Sequence, residues 1–321
     1  MTGGTGFVGL AMLEQLAAAN DRLRLGATVH VLTRDPALFA EREPEIARHE
    51  WITATRGDIR SFECPPGHFS HVIHAATDTQ PARTRQDRLR VFETIVDGTK
   101  RALETARTCE AGRFLMVSTG AVYGPQPADV SHVTEDHQGA PDVMTPNRSG
   151  AEAKRAAESL CALYAGDGLE VIVARPFAFV GPHLPLEMHY AVGNFIRDAL
   201  NGGPVRVLGD GTAVRSYMYS SDLAAWLWTM LVQGRSLRPY NVGSERTVTI
   251  AEAAHAVAAA CGGCAVHIGQ RAQPGASVDR YVPSTARARS ELGLMETVPF
   301  EEGLARTVAW YRTRGTSHVA H

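Results

Sequence analysis

Three glycines spaced GxxGxxG, Gly3, Gly6 and Gly9, stand in the run TGGTGFVG at 2–9, directly ahead of an apolar stretch with helical spacing. Glycine tolerates positive φ and lets the backbone approach a ligand closely, and the amides at the N-terminus of a following helix favour a pyrophosphate. The chemistry open to this loop is dinucleotide binding. A loop of this kind ordinarily follows a strand, yet only Met1 precedes Thr2. We therefore expect a truncated first strand, with the natural chain starting upstream or another segment taking the strand's place.

Other spacings carry less. Cys261 and Cys264 form a CxxC with His255 and His267 near in sequence, but the pair follows a helical stretch rather than opening one. The helix dipole there raises thiol pKa values, so neither redox chemistry nor a metal is expected. Arg56-Gly57-Asp58 spells an adhesion tripeptide and Asn147-Arg148-Ser149 a glycosylation triplet, and neither has meaning in a cytoplasmic protein.

Composition narrows the class further. The 321 residues hold 32 basic and 34 acidic side chains, a formal charge of -2, which gives no electrostatic case for nucleic acid or an anionic membrane. No apolar run reaches the roughly 18–20 residues that span a bilayer, and no basic region leads into an apolar one at the start. Five scattered cysteines fit reduced thiols better than a disulfide framework. These features point to a cytoplasmic protein with a small-molecule partner.

The elements that would position the loop alternate. Helical spacing over 10–19 is followed by strand-like runs at 28–32, 51–55 and 72–76. A long helix over about 86–108, a strand at 114–118, a helix over 148–164 and a strand at 170–174 come next. This order predicts an α/β fold, a Rossmann-type doubly wound parallel sheet with ligands at the carboxyl ends of its strands. The Pro-, Gly-, Asp- and His-rich stretch 120–146 reads as a long functional loop. Beyond Pro176, segments at 193–200, 205–208, 222–233, 250–260 and 300–311 predict a smaller α+β part. The division expected is 1–175 for the dinucleotide, 176–312 for substrate and a frayed tail at 313–321.

Several motifs fall in consistent places: TGGTGFVG at 2–9, GD at 57–58, HAA at 74–76, STGAVYG at 118–124, AKRAAE at 153–158, RPFAFVGP at 175–182, RSYMYSSD at 215–222 and YNVGS at 240–244. Together, from Thr2 to about Tyr311, they resemble the extended short-chain dehydrogenase/reductases, the NAD(P)-dependent epimerase/dehydratase group that acts mainly on nucleotide sugars. The resemblance implies that Gly3, Thr5, Gly6, Phe7, Val8 and Gly9 cradle the pyrophosphate. It further implies that Asp58, beside Ile59, meets the adenine, and that Ala75, Ala76, Thr77 and Pro176 line the dinucleotide. Cofactor choice turns on the end of the second strand, where an acidic residue selects NAD and an arginine accommodates the 2′-phosphate of NADP. Arg34 favours NADP(H), with Asp35 beside it as the ribose ligand if the cofactor is NAD.

The same resemblance makes Thr119 the hydroxyl that binds the reacting substrate oxygen, with Ser118 beside it. It makes Lys154 the ligand of the nicotinamide ribose. Two departures matter. The acid usually found after the threonine is absent, since Gly120 and Ala121 stand there, which disfavours 4,6-dehydration. The tyrosine four residues before the lysine, one helical turn away, is replaced by Gly150. Tyr123, Glu152, His183, Glu187 and His189 are the candidates to supply its proton transfer. On the substrate side, Arg215 matches the diphosphate-binding arginine. The asparagine of the R-x-x-N-x-x-G-P pattern is Ala178, and Asn194 is the substitute amide. Tyr217 and Asp222 would support the site.

These features predict an epimerase-type enzyme using transient hydride transfer with NADP or NAD, assembled as a homodimer through the helices at 86–108 and 148–164. The alternatives are an NADPH-dependent ketoreductase of 4-keto-6-deoxy sugars and a non-catalytic descendant that keeps the cofactor.

Overall fold

The computed structural model describes residues 1–77, 82–188, 190–273 and 275–314, which form two compact units. The first comprises 1–124, 140–176 and 224–240, and the second 125–139, 177–223 and the described residues from 241 onward. The first unit therefore takes in 224–240 and leaves out 125–139, so neither unit is one continuous stretch of chain.

In the first unit the chain runs α1 (Phe7–Leu23), β1 (Val29–Thr33), α2 (Pro36–Arg42), α3 (Pro44–Ala47), β2 (Ile52–Arg56), β3 (His71–His74), α4 (Arg85–Thr108), β4 (Arg113–Val117), α5 (Ser149–Tyr164) and β5 (Glu170–Pro176). β1 and β2 pair in parallel, as do β3 with β4 and β4 with β5. Thr2 joins the two sets, with parallel bridges to Leu32 of β1 and His74 of β3. Its amide donates to Ile73 O at 2.9 Å, its carbonyl accepts from Ala75, and Met1 O accepts from Leu32. Two residues thus occupy the place between β1 and β3 where a doubly wound sheet has its first strand and switch point.

Helices cover this sheet because apolar positions recur on one face of each. Ile95, Ala102 and Leu103 of α4 and Ala153 and Ala157 of α5 pack on Phe114, Met116 and Val171. A second cluster joins Leu10 and Leu13 of α1 to Val31, Phe39 and Ile46. Each of the larger of these side chains, the Val, Leu, Ile, Phe and Met, stabilises the fold by about 1.5–3 kcal/mol. α4 starts where it does because Thr84 and Asp87 form a reciprocal capping box.

The second unit carries β6 (Phe179–Val180), α6 (Ala191–Leu200), β7 (Val205–Val207), β8 (Val214–Ser216) and β9 (Met218–Tyr219). The chain passes back to the first unit within α7 (Ser220–Gln233) and returns within β10 (Pro239–Val242), which lies beside β5 in the sheet. It continues through β11 (Thr247–Thr249), α8 (Ile250–Ala260), β12 (Val266–Ile268), β13 (Arg280–Tyr281), α9 (Ala286–Leu292) and α10 (Phe300–Arg314). The strands here are short, in ribbons β11-β8-β13, β12-β7 and β6-β9. α10 extends to Arg314, and residues 315–321 of the expected tail lie outside the described residues.

Candidate functional site

The glycines of the N-terminal loop differ in what demands them. Gly3 has φ +72°, and a Cβ there would sit 2.5 Å from the Ala75 carbonyl carbon. At Gly9 a Cβ would lie 2.2 Å from Gly3 O. The protein's own backbone excludes side chains at both. At Gly6 a Cβ would meet only Gly3 O, at 3.6 Å, so the protein leaves that space unfilled. Gly6 is also the N-cap of α1, where no side chain caps the helix. Open backbone donors facing a space only glycine preserves fit a dinucleotide pyrophosphate. Phe7 and Val8 enter α1 half-buried, Thr5 is exposed, and Ala75 and Ala76 follow β3 half-buried with Thr77 exposed beyond them.

The ends of β1 and β2 stand side by side, since Thr33 pairs with Arg56. Asp35 caps α2, its Oδ1 accepting from the amides of Ala37 at 3.1 Å and Leu38 at 3.2 Å. Asp58 accepts from Arg60 Nε at 2.9 Å and Nη2 at 2.8 Å. Those Arg60 hydrogen bonds, against partial burial and with help from the Arg34 charge, hold its carboxyl at about 2. Ile59 is buried against Gly98, and Arg34 is exposed.

At the carboxyl end of β4 the expected residues converge. Lys154, 6% exposed, donates from Nζ to Val117 O at 2.8 Å, and burial pushes its pKa down to about 8. Ser118 donates to Glu158 Oε1 at 2.5 Å. Arg175, in β5 just before Pro176, donates to the same carboxylate from Nε at 3.1 Å and Nη2 at 2.6 Å, and from Nη1 to Tyr123 Oη at 2.9 Å. Its guanidinium also lies 4.9 Å from the Tyr123 ring centroid. Burial opposes the Arg175 charge, and the Glu158 carboxylate overrides it and raises the pKa. Thr119 caps the 3₁₀ turn Gly120–Tyr123 by accepting from Ala121 N at 3.2 Å.

Gly150 lies in the first turn of α5, and a Cβ there would make only ordinary contact with Val91 Cγ1 at 3.7 Å. Packing does not force glycine at this position. Of the candidates to replace the tyrosine, Tyr123 is 3% exposed and tied to Arg175, and Glu152 pairs with Arg155 at 3.7 Å. In the second unit, His183 is buried edge-on against Trp310 and Glu187 is exposed, while His189 lies outside the described residues.

The expected substrate residues sit in the second unit with partners of their own. Arg215 of β8 binds Asp279 Oδ2 at 2.6 Å, and Asn194 of α6 donates to Met188 O at 2.9 Å. Asp222 accepts from the amides of Thr297 and Val298. Among the described residues no cluster of His, Cys, Asp and Glu could hold a metal.

Sequence reasoning did not join Ser118, Glu158, Arg175 and Tyr123 into one network. Its signal was the i,i+4 spacing of Lys154 and Glu158, which places both on the face of α5 toward β4 and β5.

The family model described as "NAD dependent epimerase/dehydratase family" matches residues 1–243. UDP-glucuronic acid decarboxylase 1 of Xenopus tropicalis is 28% identical over 317 residues, covering 97% of this chain and 71% of its own length. dTDP-glucose 4,6-dehydratase of Streptomyces niveus is 29% identical over 327 residues, covering 97% and 92%. Among solved structures, the DesIV dTDP-glucose 4,6-dehydratase double mutant of Streptomyces venezuelae, with NAD and DAU bound, superposes with TM-score 0.80 at 27% identity over 97% of this chain and 95% of that one. UDP-glucose 4-epimerase of Thermotoga maritima shares the fold, with TM-score 0.79 at 23% identity over 98% of both chains. With the family match spanning residues 1–243 of its 321, this chain belongs to the NAD-dependent epimerase/dehydratase family of enzymes.

Proposed function

We propose that this protein is an epimerase-type enzyme of nucleotide sugars that works by transient hydride transfer at a sugar carbon. The observation that carries the reading is the end of β4, where the Val117 carbonyl holds a buried Lys154, Thr119 follows two residues on, and positions 120 and 121 hold Gly and Ala. A hydroxyl that orients a sugar oxygen and a lysine amine that takes its proton in the neutral form suffice for hydride transfer at that carbon. Eliminating water from the sugar needs a further acid, which these positions do not supply. The nucleotide-sugar part of the reading rests on the relatives, whose names include UDP-glucuronic acid and dTDP-glucose enzymes.

The bound nicotinamide cofactor supplies hydride acceptance and donation. The chain's own residues do the rest. Gly3, Gly6 and Gly9 hold the pyrophosphate, Lys154 orients the nicotinamide ribose, and Thr119 fixes the sugar oxygen. With no side chain at 150, the proton of that oxygen passes to Lys154 Nζ, whose lowered pKa lets it act as a base near neutrality. Ser118, Glu158, Arg175 and Tyr123 keep the end of β4 in place. Arg215 and Asn194 bind the substrate once their present partners yield. A homodimer through α4 and α5 and a cytoplasmic location belong to the same proposal; no helix among the described residues is long and apolar enough to cross a membrane.

The second reading, a ketoreductase of 4-keto-6-deoxy sugars, uses the same residues and is favoured by Arg34. Incubation with a panel of UDP- and dTDP-sugars separates the two: an epimer without net change in nicotinamide absorbance supports the first, stoichiometric cofactor oxidation the second. If neither appears while dinucleotide is bound, both readings fall and the chain is a non-catalytic binder.

A further inference from the structure

We propose that Cys64 and Cys109 are a redox pair, two free thiols that close to a reversible intramolecular disulfide and fasten the connection between β2 and β3 to the end of α4. Both lie in the first compact unit, 45 positions apart in the sequence, so neither spacing nor motif announces them. Their sulfurs stand 3.1 Å apart. That is about 1 Å beyond the roughly 2.0 Å of a disulfide bond.

The surroundings decide which sulfur moves. Cys109 is the C-cap of α4, and its amide and its Sγ both donate to Thr105 O at 2.9 Å. Cys64 sits in the connection, between two anchors on α4. Ahead of it, Ile59 packs on Gly98, where a Cβ would come within 3.0 Å of Ile59 Cγ1, and Phe62 O accepts from Arg101 Nε at 2.8 Å and Nη2 at 2.6 Å. Behind it, the Phe69 amide donates to Cys109 O at 3.4 Å. The closing movement therefore falls on 63–68, where Gly67 has φ +112° and open space around it. Asp58 and Ile59, ahead of the first anchor, stay in place.

The same surroundings set the order of reaction. Burial, with the contact to Cys64 adding to it, pushes the Cys109 thiol up to about 12, and that residue is 4% exposed. Cys64 is half-buried and is the sulfur an outside reagent meets first. Its thiolate attacks one sulfur of a low-molecular-weight disulfide such as oxidised glutathione. The reagent's S–S bond breaks, a mixed disulfide forms at Cys64, and the first glutathione leaves and takes up the proton Cys64 lost. Cys109 Sγ then attacks Cys64 Sγ and expels the second glutathione, which takes the Cys109 proton. The two cysteines are oxidised by two electrons, and one reagent disulfide is reduced to two thiols.

The test is incubation of the full chain with oxidised glutathione, alkylation of the remaining thiols and peptide mapping by mass spectrometry without reductant. A peptide pair joined through Cys64 and Cys109 is expected, and dithiothreitol should release it. Cys109→Ser should stop at a glutathione adduct on Cys64, whereas Cys64→Ser should leave Cys109 open only to alkylation after unfolding. The joined parent should melt about 4–10 °C higher than the reduced one, because the bond closes a long loop of the unfolded chain. Cys64→Ser, a change at a half-buried position, should fold and show no such rise. A parent in which both cysteines stay alkylatable, or in which Cys64 keeps its glutathione, would overturn the pair. A joined parent that melts no higher would overturn the fastening.

Discussion

His74 is held neutral in the core by two directional hydrogen bonds. Thr99 Oγ1 donates to Ile95 O at 2.6 Å, so it must accept from His74 Nε2–H at 3.0 Å. That leaves Nδ1 to accept from Thr2 Oγ1 at 2.8 Å, and Thr2 Oγ1 lies within 3.4 Å of the Ala76 amide. Burial, with the Lys154 charge adding to it, pushes the imidazole down to about 3. The folded pKa lies below the unfolded value, so the unfolded chain takes up the proton first. Stability is complete above about pH 6.5 and declines as pH falls toward 3, by up to about 1.4 kcal/mol per pH unit. Denaturant titrations between pH 7 and 4 should give that slope, and His74→Gln should flatten it; a parent with no slope would refute the assignment. Gly150 makes the second prediction at this scale. Its surroundings admit a side chain, and a tyrosine there would share a helix face with Lys154. Gly150→Tyr should raise kcat by about ten- to a hundredfold. In the parent, kcat/KM should rise through pH 8 as Lys154 loses its proton. A parent profile flat across pH 7–9 would remove Lys154 from proton transfer.

The loop between Thr2 and α1 separates what folding needs from what binding needs. Gly9→Ala places a Cβ against Gly3 O at 2.2 Å and should destabilise the protein by about 1–3 kcal/mol. Gly6→Ala meets no protein atom closer than 3.6 Å and should cost no more than about 1 kcal/mol, the scale of an N-cap change. Dinucleotide affinity should nevertheless drop at least about tenfold, because the new methyl takes up ligand space. Thermal melts and titrations of both variants check the contrast, and a Gly6→Ala protein that binds like the parent would remove Gly6 from the cradle. Elements with a strong local signal were legible in the sequence. β1 to β5 are short β-branched or apolar runs, and α4 is a long amphipathic helix opened by a capping box. α2 and α3 were not, being only 7 and 4 residues long and each opening on a proline that reads first as a turn. The two-residue strands β6, β9 and β13 carry no period at all and exist through their pairing partners. Thr119 and Lys154 could be found by motif, but the Glu158–Arg175–Tyr123 links require knowing that β5 lies beside β4.

The two compact units are woven from the chain rather than laid end to end. The segment 224–240 lies far along the sequence yet belongs with the N-terminal sheet. Trp228 donates from its indole to Met12 O at 3.0 Å, and Arg113 donates to the carbonyls of Leu231 and Gly234. A Cβ at Gly234 would come within 2.9 Å of Ile172, so the turn after α7 presses directly on β5. Cutting the chain after Pro176 would therefore strip a layer from the dinucleotide-binding sheet. Residues such as Met12 and Ile172, both fully buried in the intact chain, would lose part of their cover. Exposing several such side chains costs about 1.5–3 kcal/mol each, which is comparable with the whole stability of a domain. Residues 1–176 expressed alone should lack a cooperative thermal transition and show collapsed amide dispersion by NMR. Adding 224–240 in tandem through a flexible linker should restore both. A fragment that melts cooperatively on its own would show that the sheet stands without α7, and that the simple cut suggested by the motifs was the physically meaningful one.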